Sequence, residues 1–237
     1  MSKAEDNKAL LDWEKYIKTL RRSTVIDLNE TKEEQLARIA KLEWNPERWF
    51  KYYFPNYCYA EPANFHKRAT KRIIANPEWY EVRAWSRELA KSSRTMMEDF
   101  YLALADKSLK SLLMVSNNHD DATRLLKPYK LNFENNQRII NDYGVQQSHG
   151  EWKDDFFITK SGVSFLGVGA GESPRGLKNE EYRPDKVNLD DFDTDKDCRN
   201  PDMVDNKWAW FEKAVYGTRS ISRNFRVVVN GNIIAEY

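Results

Sequence analysis

What the 237-residue chain has little of already narrows its class. It holds two cysteines, Cys58 and Cys198, too few for a disulfide-rich framework or a zinc cluster, which fits a reducing compartment. Nine glycines and eight prolines exclude collagen-like and low-complexity chains. No apolar run approaches the length that spans a bilayer. The opening stretch, MSKAEDNKALLDWEKY, mixes charges of both signs and lacks the apolar core of a secretory signal. An excess of one charge is missing too: 38 Lys and Arg stand against 37 Asp and Glu, a net charge of +1, so any basic patch has to be local. Aromatics, by contrast, are plentiful. Eight Trp, 12 Tyr and 11 Phe exclude a disordered chain and supply enough apolar surface for a sizeable core.

Two regions are expected. Residues 1–62 read as a helical and aromatic extension, and 63–237 as one α/β domain with a mainly parallel central sheet flanked by helices. Within 5–44, Ala9, Leu10, Trp13 and Ile17 form one helical stripe, and Leu36, Ile39, Ala40 and Leu42 a second. Thr31 with Glu34 three residues on has the form of a capping box. Asn45–Pro62, NPERWFKYYFPNYCYAEP, reads as a packed irregular connection or, alternatively, as an aromatic platform for bases. Beyond it a helix is expected over 63–75, a strand over 81–85, a helix over 91–105, a strand over 111–116 and a helix from Asp120. Short strands follow at 156–159, 163–168, 187–189 and 226–229. Strands alternating with helices give a parallel sheet whose functional loops lie at the carboxyl ends of its strands.

Three such loops carry chemistry. The first is Ser86-Arg87-Glu88-Leu89-Ala90-Lys91-Ser92-Ser93, between a strand and a helix start. A P-loop has this form: loop N–H groups cradle phosphates, Lys neutralises them, and the next hydroxyl ligates Mg²⁺. Trp85 and Ala90 stand where a standard P-loop has Gly, and Lys-Ser at a helix start is also common outside nucleotide sites. The second loop ends the run Val-Asn-Leu-Asp190-Asp191-Phe-Asp193. Paired carboxylates at a strand end suit a Walker B element, the first for metal and the next for the attacking water; a solvated acidic turn has the same composition. The third, Gly171-Glu-Ser-Pro-Arg175-Gly, is a hairpin-like loop that presents Arg175 to a phosphate or to developing transition-state charge, or is simply flexible.

In order, Ser86-Arg-x-x-Ala-Lys-Ser-Ser, Val115-Ser-Asn-Asn-x-x-Asp-Ala, Gly-Glu-Ser-Pro-Arg-Gly and Arg183-Pro-Asp-x-x-x-Leu-Asp-Asp resemble the large terminase subunit of tailed double-stranded DNA phages, in its N-terminal packaging ATPase domain. The resemblance runs from about Phe65 to Asn232. It implies an ASCE-type P-loop NTPase that couples ATP hydrolysis, with Mg²⁺, to translocation of double-stranded DNA into a procapsid. Its implied partners are the portal and the small subunit, in a homo-oligomeric ring, in the host cytoplasm and without a membrane. By the same resemblance Arg87 and Lys91 bind phosphates, and Ser92 and Asp190 hold the metal. Asp191, with Asp193 as the second candidate, is catalytic; Arg175 lies in the arginine element; Asn230 and Asn232 form the coupling motif. Phe65 and His66 sit where an adenine-binding segment is expected, though His66 also reads as an ordinary surface histidine. The family's nuclease domain is not recognised in this sequence, so no nuclease activity is expected. A helicase-like ATPase, or a degenerate P-loop that only binds DNA or a partner, are the alternatives.

Overall fold

Seven strands form one sheet in the computed structural model, which describes residues 3–173, 183–194, 197–219 and 224–231. In chain order they are β1 (Trp79–Ala84), β2 (Ser111–Ser116), β3 (Gln147–Trp152), β4 (Phe156–Thr159), β5 (Ser164–Gly169), β6 (Lys186–Asp190) and β7 (Arg226–Gly231). In space the order is β1-β7-β6-β2-β5-β4-β3. The pairs β1·β7, β7·β6, β6·β2 and β2·β5 are parallel, and β4 runs antiparallel to β5. The fold is therefore α/β, with a mixed, mostly parallel sheet flanked by helices.

Two compact units share the chain. The first comprises residues up to Pro62 together with Pro128–Gln147; the second comprises Ala63–Lys127 and the residues from Ser148 onward. The first unit is helical: α1 (Lys3–Ser23), α2 (Lys32–Glu43), α3 (Pro46–Tyr53), the part of α6 (His119–Asn135) from Pro128 on, and α7 (Gln137–Tyr143). Thr31 caps α2, accepting from the Glu34 N–H while the Glu34 carboxylate accepts from the Thr31 N–H at 2.9 Å. The α2 stripe differs from the expected apolar set. Leu36 is 55% exposed, and Gln35 is buried instead, because its amide donates to Asn141 O and to the Asp142 carboxylate.

The stretch expected to be an irregular connection contains a helix. Asn45 caps α3 by accepting from the Arg48 N–H, and Pro46 occupies the first turn, where its missing N–H costs nothing. Trp49, Phe50, Tyr53 and Phe54 are wholly buried there, so these four rings form core and offer no open platform to bases. β3, α7 and α8 (Pro201–Trp210) have no counterpart among the elements expected from sequence. β3 reads Gln-Ser-His-Gly-Glu-Trp and lies at the end of the sheet; its largely exposed residues carry no apolar alternation to detect.

The two faces of the central strands differ in chemistry. Register sets Arg83 of β1, Asn230 of β7 and Asp190 of β6 in one row, with Lys186 level with Arg226 at the other end. Alternation therefore gathers Glu81, Arg83, Arg226, Asn230, Lys186, Asn188 and Asp190 on one face, and all seven are buried. Helix α5 (Lys91–Leu104) answers with buried Thr95, Glu98 and Asp99. Lys186 pairs with Asp99, whose other oxygen accepts from the Asn188 amide at 2.6 Å. Burial pulls the Lys186 ammonium below its ordinary value, against the attraction of Asp99. Arg83, fully buried, donates to Glu81, Thr95 and Glu98 at 2.8–3.0 Å. The opposite face is hydrocarbon: Val187, Leu189, Val227, Val229, Leu113 and Val115 pack with Phe211, Val215 and Phe225 beside α8.

Candidate functional site

The carboxyl ends of β1, β7 and β6 meet at one edge, since Ala84 is level with Gly231 and Asn230 with Asp190. From β1 the chain turns through 85–90 into α5. Its backbone is unusual: Glu88 and Ala90 both hold positive φ, 65° and 55°. An L-residue in that left-handed region costs about 1–2 kcal/mol. Ala90 therefore adopts, with its Cβ, the conformation a glycine would take for little cost, at one of the two positions where a standard P-loop has glycine. Ala90 is also the N-cap of α5 and supplies no side-chain cap. A helix leaves its first-turn N–H groups without intrahelical partners, so an uncapped start is suited to an anion.

The Lys91 ammonium folds back over this loop, donating to Trp85 O at 2.5 Å and Ser86 O at 3.3 Å. One residue on, the Ser92 hydroxyl hydrogen-bonds the Asp190 carboxylate. Asp190 is buried, and burial pushes its pKa up, as does the neighbouring Asp191; the bonds from Ser92 and Asn230 and the charge of Lys91 oppose the rise. The Asn230 amide donates to Asp190 Oδ2 at 3.1 Å and also contacts Thr95 Oγ1, which accepts from Arg83 at 3.0 Å. Thr95 Oγ1 lies within reach of both ends of the Asn230 amide, 3.1 Å from its nitrogen and 3.3 Å from its oxygen. A hydrogen-bonded chain thus runs Arg83, Thr95, Asn230, Asp190.

Of the residues singled out by sequence, Lys91, Ser92, Asp190 and Asn230 are brought together. Ser86, Arg87, Glu88 and Leu89 form the exposed rim of the loop, and Ser93 is half-buried in the first turn of α5. Asp191 is exposed, with φ 48°. Asp193 turns elsewhere. The Trp208 side chain hydrogen-bonds it, Lys207 and Asp197 lie near, and burial raises its pKa. Its Oδ1 is buried without a hydrogen-bond partner. Between the two acids Phe192, 3% exposed, packs against Trp208 and Trp210 and so separates them. Arg175 and Asn232 lie outside the described residues. The start of the Arg175 loop is described: Glu172 accepts from the Gly169 N–H at 2.9 Å, and its backbone carbonyl accepts from the Trp210 indole. Gly169 is required there, because a Cβ would meet the His119 nitrogen at 2.5 Å.

Several participants were not legible beforehand. Thr95 and Arg83 are two. The only trace of Thr95 was its four-residue step from Lys91 along one helical face, and the only trace of Arg83 was a charged residue inside a strand. Lys207 is a third. Its ammonium bridges the ends of β2 and β6, donating to Asn117 Oδ1, Phe192 O and Asp197. His66 is more than a surface histidine. On α4 (Asn64–Ala75) its Nδ1 accepts from the Ala63 N–H, and its Nε2 lies 2.9 Å from Leu89 O of the loop. Phe65, His66 and Trp85 form an aromatic trio with centroids 4.1–5.0 Å apart, so Trp85 serves as packing where a standard P-loop has a glycine.

In chemical terms the edge offers an ammonium, an uncapped helix start, and a hydroxyl with a carboxylate. Two hard oxygens of that kind suit Mg²⁺, which takes one or two carboxylates and fills its remaining positions with water and substrate phosphates. Among the described residues no group of three or more His, Cys, Asp or Glu side chains is clustered as a metal cage. Among the same residues no helix is long and apolar enough to cross a membrane. No protein-family model matches the chain, and no curated protein matches it.

Proposed function

We propose that this chain is a P-loop ATPase of the kind that packages viral DNA, a terminase large-subunit ATPase domain coupling ATP hydrolysis to movement of double-stranded DNA into a procapsid. The observation that carries the nucleotide site is the convergence of Lys91, Ser92, Asp190 and Asn230 at the carboxyl edge of three neighbouring strands. The packaging role, with its portal, small-subunit partner, ring assembly and host-cytoplasmic setting, is supported by the motif order alone.

In this reading the loop 85–90 and the start of α5 hold the β- and γ-phosphates. Lys91 exchanges two neutral carbonyls for phosphate oxygens, a favourable trade because an ammonium is attracted more strongly by a full negative charge than by a carbonyl dipole. Ser92 and Asp190 hold Mg²⁺, which when bound neutralises phosphate charge. Asp191, exposed beside them, orients the attacking water and accepts its proton. Asn230 touches Asp190 and lies level with the end of β1, so it is placed to sense the γ-phosphate and relay its loss into β7. Arg175, from the loop that Glu172 anchors, supplies the cation for transition-state charge, from its own subunit or a neighbour's.

The test is Lys91→Ala in the full chain, read by steady-state ATPase and by circular dichroism. Turnover should fall at least about 100-fold, the usual effect of removing one preorganised electrostatic partner, with the helical signal unchanged. Wild-type turnover in a folded variant would remove the nucleotide-site assignment. Nucleotide binding without turnover in the wild-type chain would favour a module that only binds.

A further inference from the structure

Helix α4 carries Lys67, Arg68, Lys71 and Arg72 in twelve residues, and no acid. Its inner face is committed: Ala69, Thr70 and Ile73 are buried, and Thr70 donates to Glu98 at 2.5 Å and accepts from Arg94. Arg72 pairs with Glu81 at 3.1 Å. The outer face is different. Lys67, Arg68 and Lys71 are exposed, and with Asn64 they line one shallow concavity. Among the described residues none of these three cations forms an ion pair. Within the helix, Lys67 with Lys71 and Arg68 with Arg72 are like-charge pairs four residues apart, each destabilising by about 0.2–0.5 kcal/mol. A chain with almost equal numbers of acids and bases thus keeps an uncompensated cationic column on one helix, at some cost to that helix.

We propose that this face of α4 is a docking surface for the phosphate backbone of double-stranded DNA, bound without regard to sequence. Charge selects a polyanion. Lys67 and Lys71 lie about 6 Å apart along the axis, and a duplex presents one negative charge per about 1.7 Å, so the column meets several phosphates at once. A membrane-surface helix needs exposed apolar or aromatic residues beside its cations. Here the exposed positions are Asn64, Lys67, Arg68, Lys71, Arg72 and Ala75. Bases would need a stacking ring on the same face, and no exposed position of α4 carries one. Choosing a duplex follows the proposed function; the cationic face itself follows from α4 alone.

The same helix reaches the candidate site. His66 sits 2.9 Å from the Leu89 carbonyl, and Arg94 of α5 donates to Thr70 at 2.8 Å. A duplex on the outer face therefore bears on the element that braces the phosphate loop from within. Bound DNA should raise ATP turnover through that contact.

Fluorescence anisotropy with a labelled blunt duplex, run on the full chain from 50 to 200 mM NaCl, tests the surface. Replacing Lys67, Arg68 and Lys71 together by Gln removes about three phosphate contacts, so the slope of log affinity against log salt should flatten by about 2.7. Over that range the wild-type chain then loses about 40-fold more affinity than the variant. The interchange Lys67→Arg, Arg68→Lys, Lys71→Arg should keep the wild-type slope. Basal ATP turnover should persist in the Gln variant while stimulation by duplex is lost. Equal slopes in wild type and Gln variant, or binding to anionic vesicles without binding to duplex, overturns the proposal. Lys91→Ala separates the two readings: it should leave the salt slope intact, and turnover surviving in it would end the nucleotide reading without touching this one.

Discussion

At the residue scale the two carboxylates just after β6, Asp191 and Asp193, have been given different surroundings by one aromatic anchor. Phe192 is buried, so the acids before and after it cannot share an environment. Asp191 faces solvent from a left-handed backbone, while Asp193 is half-buried against Trp208. Under the proposed function Asp191 is then the group that orients water, and Asp193 is part of the packing against Trp208 of α8. We predict that Asp191→Asn abolishes ATP turnover with nucleotide affinity changed less than about 3-fold, since an interaction made only in the transition state lowers turnover without altering ground-state binding. Asp190→Asn should weaken binding of Mg²⁺-ATP more than of ATP alone. Asp193→Asn should keep turnover. Isothermal titration with and without Mg²⁺, beside steady-state kinetics, separates the three; loss of turnover in Asp193→Asn alone would move the catalytic role two positions.

At the scale of elements, α5 joins the loop to the sheet through hydrogen-bonded charge where such helices usually meet their sheet through hydrocarbon. Its Thr95 is the middle link of the hydrogen-bonded chain from Arg83 to Asp190. Arg83 itself is sustained there: burial works against its charge, and Glu98 and Glu81 outweigh the burial. Thr95→Val keeps shape and removes the hydroxyl, leaving Arg83 and Asn230 each short of a partner, at a stability cost of about 1–3 kcal/mol. The Asn230 amide then loses what fixes its orientation. The expected outcome is a folded variant with near-normal KM for ATP and a lowered kcat, restored by Thr95→Ser. The Asn230 side-chain NH₂ resonances, sharp in wild type and in Thr95→Ser, should broaden in Thr95→Val. A kcat unchanged in Thr95→Val would make the chain merely structural.

At the scale of the whole molecule, each of the two units has its own way of burying polar groups. In the first, Asp142 is the focus: Arg38 bonds both its oxygens at 2.6 and 2.9 Å, and Gln35 and Tyr53 add to it. Burial alone would raise its pKa, but these partners hold the carboxyl below its ordinary value. The native state therefore binds this proton less readily than the unfolded chain. The stabilisation is complete above the ordinary value of about 3.9 and is lost as pH falls through the lower native value. Asp142→Asn should cost about 1.5–3 kcal/mol at pH 7, and the gap to wild type should close below about pH 4. Urea titrations at pH 7, 5 and 3, followed by tryptophan fluorescence, read this directly. A gap that stays constant with pH would mean that Asp142 acts by shape rather than charge.

What could be read from the sequence alone was local: where a run of one period gave way to another, and which residues stood at the change. The capping box at Thr31, the helix beginning at Lys91, the buried strand Ser111–Ser116 and the acidic end of β6 are all set by neighbours a few residues away. Local patterning therefore marks Lys91, Ser92 and Asp190 by their places at a helix start and a strand end. Tertiary structure decided what lies between them. The strand inserted between β1 and β6 comes from the far end of the chain, and it alone brings Asn230 to Asp190. The polar side chains of Arg83, Asn188 and Lys186 sit within buried strands because α5 sets Thr95, Glu98 and Asp99 against them, with Glu81 as a further partner of Arg83. Polar burial is permitted by a partner rather than by a pattern, and partners on different elements, 12 to 89 residues apart here, leave no periodicity for a sequence to display.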